Sequence, residues 1–368
     1  MSTPIRVLQV VTIMNRGGAE TMIMNYYRKI DKSKVQFDFL VHRVEKGVYE
    51  DEIESLGGRI FRIPPLYDVF AHVKGVRQFL KEHKEYKIIH GHVSILGYFL
   101  YKEAKKMGFP VIIAHAHNNS CDISWRWPLW MTLRYLIRPH FTLGMTCGRE
   151  AAIWTFGKRR AKNAIMLNNS IDTTHFAFNQ DIRDRVRAQM GWDGHFIIGD
   201  VARFSPQKNH QFLLSIFKQV LSMRSDALLV LIGDKTGLYE SIVTKAEEMG
   251  ISDKIQFLGL RTDIPELLQG MDVYCSPSLY EGLSVSMVEA QASGLRIVTS
   301  NQVPPEVAII PELLIFLSIT ENPVAWSQSI LEPYHRYNTI EKITAAGFDV
   351  HSSALWLQDF YLNQHHSH

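Results

Sequence analysis

Phe196-Ile197-Ile198-Gly199-Asp200-Val201-Ala202-Arg203-Phe204-Ser205-Pro206-Gln207-Lys208-Asn209-His210 runs directly into Gln211–Met223. A short apolar, β-branched run ends in a polar turn, and a stretch of helical period follows it: one strand–turn–helix unit. The unit recurs through the second half of the chain. Strand-like runs lie at Phe196–Val201, Ala227–Ile232, Ile255–Leu258, Val273–Cys275 and Arg296–Thr299, separated by helical patterns at Gln211–Met223, Leu238–Met249, Ile264–Leu268 and Val285–Ser293. The first half repeats the scheme. Its runs are Val7–Thr12, Phe37–Val41, Arg59–Ile63, Ile88–His90, Val111–Ala114 and Thr142–Met145, with helical stretches such as Ala19–Arg28, Val73–His83 and Leu96–Met107. Strand–helix alternation at this spacing predicts βαβ units and parallel sheets. It occurs twice, on either side of a polar break at Asn168–Asp184. The expected architecture is therefore α/β: two Rossmann-like, doubly wound domains, residues 1–175 and 176–349, facing across a cleft. Ser352–Leu362 reads as one more amphipathic helix, within a closing helix of about 350–364 expected to pack back onto the first domain, and His365–His368 as a loose tail.

Composition agrees with two cores. The chain has 368 residues, 46% hydrophobic and 21% charged, long enough for two domains. No apolar run approaches the roughly 18–20 residues that span a bilayer, and Met1–Arg6 carries no signal-peptide pattern. A cytoplasmic chain is expected, and its Cys121, Cys147 and Cys275, which lack metal-ligand spacing, are expected to be free thiols. The net charge of +3 hides an asymmetry. Residues 1–180 hold 26 Lys+Arg against 15 Asp+Glu, and residues 181–368 hold 14 against 22, balances of +11 and −8. The first half is thus suited to something anionic. Nucleic acid is excluded because no basic–aromatic recognition motif accompanies the charge.

In open parallel sheets, ligands bind beyond the carboxyl ends of strands, so the turns there are the candidate sites. The first strand runs into Asn15-Arg16-Gly17-Gly18-Ala19-Glu20, where adjacent glycines at a helix start allow close backbone approach to an anion. The pattern is not GxGxxG, which argues against a dinucleotide dehydrogenase. After Val111–Ala114 comes His115-Ala116-His117, two histidines on one side of an extended segment with no third metal ligand evident nearby; His117 lies further out. Arg203 and Lys208 sit in one strand-to-helix turn and can converge on a diphosphate. Glu281 and Glu289 flank a loop and the start of a helix. They suit either an acid/base couple or the binding of sugar hydroxyls, with backbone N–H groups at Leu283–Val285 available to a phosphate.

The combination Arg203…Lys208, Glu281-x7-Glu289 and Gly17-Gly18 resembles glycosyltransferase family 4, retaining enzymes of the GT-B fold. The resemblance spans nearly the whole chain, through Asn169-Ser170-Ile171-Asp172, Gly233-Asp234, Phe257-Leu258-Gly259, Met271-Asp272-Val273 and Ala290–Gly294. Met14–Asn25 and Gly282–Gly294 look closest to bacterial exopolysaccharide and capsule glycosyltransferases. The resemblance implies that Arg203 and Lys208 hold the donor diphosphate and stabilise the leaving group. It implies that Glu281 binds hydroxyls of the sugar, Glu289 those of the ribose, and that Leu258–Arg261 borders the base. Backbone at Gly17, Gly18, Leu283, Ser284 and Val285 would approach the phosphates and sugar, and His117 would lie by the sugar. It implies no metal and no cofactor, only a nucleotide-diphosphate sugar, with UDP expected as the nucleotide. The sequence departs from the family at Ser170, where glycine is usual, and at Ser284 and Arg296, where proline is frequent.

The acceptor side is expected in the first domain. Trp125-Arg126-Trp127-Pro128-Leu129-Trp130-Met131-Thr132-Leu133-Arg134-Tyr135-Leu136-Ile137-Arg138 contains no acid and reads as an amphipathic helix suited to an anionic membrane, with Trp125, Arg126, Trp130, Arg134 and Arg138 as contacts. A lipid-diphosphate-linked saccharide at the inner face of the cell membrane is the expected acceptor; the alternative is a helix packed into the domain. A sugar-nucleotide epimerase or phosphorylase, and a non-catalytic partner subunit, are the competing readings of the same fold. The intact cation pair and Glu281/Glu289 favour a transferase.

Overall fold

The computed structural model describes residues 3–117 and 127–368, with the backbone alone at Trp127. Cys121, Trp125 and Arg126 lie outside the described residues. The chain divides into two compact units, 1–170 with 347–368, and 171–346. The division falls at Ser170/Ile171, five residues before the expected boundary, and the last helix returns to the first unit. The break expected at Asn168–Asp184 is not structureless: two helices begin within it. Asn179, whose side chain accepts from the N–H groups of Asp181 and Ile182, caps the second.

The first unit contains β1 (Ile5–Val11), α1 (Gly18–Lys29), β2 (Val35–Val41), α2 (Glu50–Ser55), β3 (Ile60–Arg62), α3 (Val69–Glu82), β4 (Ile88–Gly91), α4 (Tyr98–Lys106), β5 (Val111–Ala116), α5 (Trp127–Leu136), β6 (Leu143–Thr146), α6 (Arg149–Phe156), α7 (Lys158–Ala161) and β7 (Ile165–Met166). The second contains α8 (Thr173–Phe176), α9 (Gln180–Met190), β8 (Phe196–Val201), α10 (His210–Met223), β9 (Ala227–Ile232), α11 (Tyr239–Glu248), β10 (Ile255–Gly259), α12 (Ile264–Gly270), β11 (Val273–Ser276), α13 (Val285–Ala292), β12 (Arg296–Ser300), β13 (Leu314–Leu317), α14 (Pro323–Leu331) and α15 (Ile340–Ala345). The chain closes with α16 (Val350–His366). His365 and His366 are thus the last residues of a helix rather than a loose tail, and Lys87 donates to the His365 carbonyl at 3.4 Å.

Both sheets are parallel, in the orders β3-β2-β1-β4-β5-β6-β7 and β10-β9-β8-β11-β12-β13. Each reverses its direction of winding beside its first strand, between β1 and β4 and between β8 and β11. In the first sheet Val7, Val11, Phe37, Phe39, Ile88 and Ile113 pack against α1 and α16, and Leu8, Val10, Leu40, Ile89 and Ile112 form the core on the opposite face. This period of two on strands buried on both sides is what gives the near-continuous apolar runs. Gly347, at φ +80°, makes the turn that feeds α16 back to the first unit, where its carbonyl accepts from Asn168 Nδ2 at 3.0 Å. In the second unit Arg336 ties down the C-terminal end of α12, donating to the carbonyls of Leu268, Gln269 and Met271 and to Ser293.

One buried charge holds the edge of the first sheet. Asp38 accepts from Arg6, from the side chain and backbone N–H of Arg59, and from Tyr86 at 2.6 Å. Burial opposes its ionisation, but these donors outweigh it and hold the carboxyl below the usual range. Its stabilising contribution is therefore complete above the unfolded value near 4 and is lost as pH falls through the lower folded value. Asp38→Ala, which strands these donors, is expected to reduce stability by about 3 kcal/mol in urea unfolding at pH 7. The difference from wild type should shrink below about pH 4.

Candidate active site

In the second unit, the loops after β8 and β11 leave adjacent strands at the reversal of strand order, where a crevice forms beyond the strand ends. The loop after β8 carries Arg203, then a short 3-10 turn, Pro206–Lys208, that delivers Lys208 and starts α10. The loop after β11 carries Glu281 and ends at Ser284, the residue that precedes α13. Gly233, in the turn after β9, lets the first loop lie close, because a Cβ there would stand 2.0 Å from the Ala202 carbonyl oxygen.

The two loops are joined through polar groups. Leu279 N–H donates to the Gln207 carbonyl at 2.8 Å, and Asn209 Nδ2 to the Pro277 carbonyl at 3.1 Å. Lys208 Nζ donates to Glu281 Oε1 at 2.5 Å, Ser278 Oγ donates to the same oxygen at 2.8 Å, and Gln207 Nε2 reaches Oε2 at 3.3 Å. Glu281 is 5% exposed, so this is a desolvated ion pair held by neutral donors. Sequence reasoning assigned Lys208 to a diphosphate and Glu281 to a sugar separately; the structure pairs them. An ammonium has three N–H donors, so the pair does not exhaust Lys208. Arg203 is exposed. Beneath them, Asp200 at the end of β8 is pushed up to about 7 by burial, against the pull of Lys208.

Glu289, the fifth residue of α13, is partly accessible, and burial pushes its carboxyl up to about 8. Ser284 Oγ lies 3.2 Å from Ser286 Oγ, and Ser286 Oγ accepts from Tyr274 Oη at 3.0 Å, so the first turn of α13 is lined by hydroxyls as well as N–H groups. Leu258 lies on β10, and Arg261, just beyond it, is held by Asp263 in a two-pronged pair.

In the first unit, Gly17 precedes α1, and Glu20 Oε2 sits 2.2 Å from where a Gly17 Cβ would stand. The Glu20 carboxylate thus occupies the anion-favouring end of the helix that the sequence reserves for a phosphate. His115 belongs to β5 and is buried, whereas His117 lies just past the strand and is partly accessible. The sequence shows no third metal ligand near them, but the structure places further histidines there. His90 and His92, at the end of β4, stand alongside, and ring nitrogens of His90, His92 and His115 lie within 4.8 Å of one another. The signal was present in the sequence, since both strands end in a His-x-His step of two.

Of the arginines expected to face outward, Arg134 turns to α6 instead. Arg134 donates to the Trp154 carbonyl and lies over that ring at 5.4 Å, and Arg138 lies over Tyr135 at 5.1 Å. Trp130 is half-buried; Leu129 and Tyr135 are exposed. No helix among the described residues is long and apolar enough to cross a membrane. Cys147 and Cys275 are both buried.

Residues 182–347 match the family model "Glycosyl transferases group 1". The chain is 39% identical over 333 residues to EpsF of Bacillus subtilis (strain 168), named as a glycosyltransferase, covering 88% of this chain and 86% of that one. It is 24% identical over 282 residues, 72% of each chain, to an Escherichia coli galactosyltransferase named for UDP-Gal and α-D-GlcNAc-diphosphoundecaprenol. Among solved structures, Anabaena HepE in complex with UDP and glucose superposes with a TM-score of 0.80 at 17% identity, over 96% of this chain and 98% of that one. Two Rossmann-like units of this kind make the GT-B fold. The chain belongs to the group 1 glycosyl transferases.

The raised Glu289 carboxyl makes a prediction independent of substrate. From about pH 4.5 to 8 the folded chain keeps a proton that the unfolded chain releases, so this group's contribution to stability falls with rising pH and levels off above about 8. Glu289→Gln should flatten that part of the pH profile of thermal unfolding and gain most over wild type at pH 9; parallel profiles would refute the assignment.

Proposed function

We propose that this glycosyltransferase, of a family that serves bacterial polysaccharide synthesis, moves a hexose or N-acetylhexosamine from a UDP-sugar to a saccharide carried on a lipid diphosphate, with retention at the anomeric carbon. The observation that carries the reading is the desolvated Lys208–Glu281 pair at the strand-order reversal of the second unit. It combines a cation for a departing diphosphate with a carboxylate for sugar hydroxyls in one small volume. Arg203 and Lys208 take the diphosphate, Glu281 holds the sugar, Glu289 the ribose, and Leu258 and Arg261 border the base. The backbone of Leu283, Ser284 and Val285, and of Gly17 and Gly18, approaches phosphate and sugar, and His117 takes a sugar hydroxyl. Uridine is favoured by the UDP complex of HepE, and a lipid-diphosphate acceptor by the name of the Escherichia coli relative.

The bond from the sugar C1 to the diphosphate oxygen breaks while the acceptor oxygen bonds to C1 from the same face. The acceptor's proton passes to the departing phosphate oxygen, and the nucleoside diphosphate leaves. The barrier lies in a positively charged sugar and a negatively charged leaving group. Fixed cations lower the second part, removal of one such contact costing about 3 kcal/mol in comparable sites, and Arg203 and Lys208 supply that charge without a resident metal. The excess of basic residues in the first half, with Leu129 and Tyr135 exposed on α5, suits an acceptor presented at the inner face of an anionic membrane.

The test is a panel of nucleotide sugars offered with a lipid-diphosphate-linked saccharide in anionic or neutral vesicles, read by product mass and anomeric configuration. A retained glycosidic product from a UDP-sugar, faster on anionic vesicles, is expected. Lys208→Ala should lower kcat about a hundredfold while the fold persists. Conversion of the nucleotide sugar without acceptor would identify an epimerase instead, and an inverted product would refute the same-face mechanism.

A further inference from the structure

Strands β1, β4 and β5 bring Gln9, His90, His92, His115 and His117 to one face of the first sheet near the strand ends, and α16 lays Tyr361 across them. Hydrogen bonds join these six groups into one unbranched chain. His117 Nε2 is 2.9 Å from His92 Nδ1, and His92 Nε2 is 2.9 Å from Gln9 Oε1. Gln9 Nε2 donates to Tyr361 Oη at 3.3 Å, Tyr361 Oη is 2.6 Å from His90 Nδ1, and His90 Nε2 is 3.1 Å from His115 Nδ1. The atoms left at the two ends, His117 Nδ1 and His115 Nε2, are buried with no partner among the described residues. Their rings stack at 4.1 Å.

Burial drives His90, His92 and His115 well below their usual values and His117 to about 4, so each ring carries one proton at neutral pH. That count fixes the bonds from Gln9 to His117, and the bonds of the other arm follow when the Tyr361 hydroxyl also donates. Gln9 Oε1 can only accept, so His92 carries its proton on Nε2. His92 Nδ1 is then a lone pair, which accepts from His117 Nε2–H, and His117 Nδ1 remains a lone pair. On the other arm Gln9 Nε2 donates to Tyr361, whose own proton goes to His90 Nδ1. His90 donates from Nε2 to His115 Nδ1, and His115 Nε2–H is left as a donor. The nearness of His90, His92 and His115 also raises the question of a divalent metal. The single lone pair of each of these rings already accepts a proton within the chain, so a metal would have to break it.

We propose that Gln9 and His92 are positioning residues that hold His117 as its Nε2–H tautomer, so that Nδ1 meets the substrate as an acceptor of a hydroxyl proton and never as a donor to phosphate. The proposal rests on the assignment of His117 to a hydroxyl of the transferred sugar. It divides recognition by polarity: a hydroxyl donates to the imidazole lone pair, and phosphate oxygens are left to the cations of the second unit.

Two-bond 15N–1H correlation spectra of the full chain labelled with [15N]histidine, with signals assigned by single substitutions, distinguish Nε2–H from Nδ1–H. His92 and His117 are expected as Nε2–H in the ligand-free protein. Gln9→Met, which keeps the volume and removes both hydrogen bonds, should give averaged tautomers at His92 and His117. It should also lower kcat for transfer about tenfold, with donor KM within about twofold. Tyr361→Phe cuts only the other arm and should leave the His117 tautomer unchanged, which separates polarity from any loosening of the fold. Nδ1–H or averaging at His117 in the wild type overturns the proposal. So does a Gln9→Met protein with unaltered tautomers and kcat. Stoichiometric displacement of the His90, His92 and His115 signals by Zn2+ overturns it in favour of a metal site. Failure of any nucleotide sugar to bind sinks the donor assignment, whereas the spectra still decide the tautomers.

Discussion

A parallel sheet covered by helices on both faces leaves only the ends of its strands open to ligands, and a reversal of strand order parts the connecting chain there. Both sheets of this protein reverse beside their first strand. The residues proposed to carry its chemistry follow from that constraint. Lys208 and Glu281 leave β8 and β11, neighbours at the second reversal; Gly17 and His92 leave β1 and β4, neighbours at the first. The backbone of His92 is fixed there by its N–H, which donates to the Val10 carbonyl at 2.8 Å. Within each unit, candidate groups drawn from distant stretches of sequence are thus brought together by the sheet, not by each other.

The two units solve opposite electrostatic problems. The second buries an ion pair, Lys208 with Glu281, and Ser278 and Gln207 donate to the carboxylate as well. The first gathers four imidazoles and keeps them neutral, linking them through an amide and a phenol, so that this cluster holds no desolvated charge. A charge suits a diphosphate; a neutral acceptor suits a hydroxyl.

Much of this was legible in the sequence. The strands of the second unit from β8 to β12 stand within one residue of their apolar runs, because strands buried on both faces have no polar period to blur them. β7 and β13 escaped notice: two and four residues long, they leave too little pattern. The candidate site residues Arg203, Lys208 and Glu281 were visible as charged groups in turns after strands, and Glu289 as a carboxylate early in the next helix. Their pairing was not, since Lys208 and Glu281 are 73 positions apart. Arg134 misled for a related reason. Spacing on a helix shows which face a residue occupies, but its long side chain reaches the Trp154 carbonyl on another helix. Asp200, Ser278 and Gln207 carry no mark that separates them from ordinary loop and strand residues.

The donor site proposed for this protein seats a nucleoside diphosphate on the loops that follow β8 and β11. Hydrogen–deuterium exchange of the intact protein with and without saturating UDP tests it most directly, because it reads backbone N–H groups and needs no acceptor. Slowed exchange concentrated in residues 202–209 and 279–288 is expected. Binding of UDP with those two segments unchanged, or with protection confined to the first unit, would contradict the assignment of the donor site.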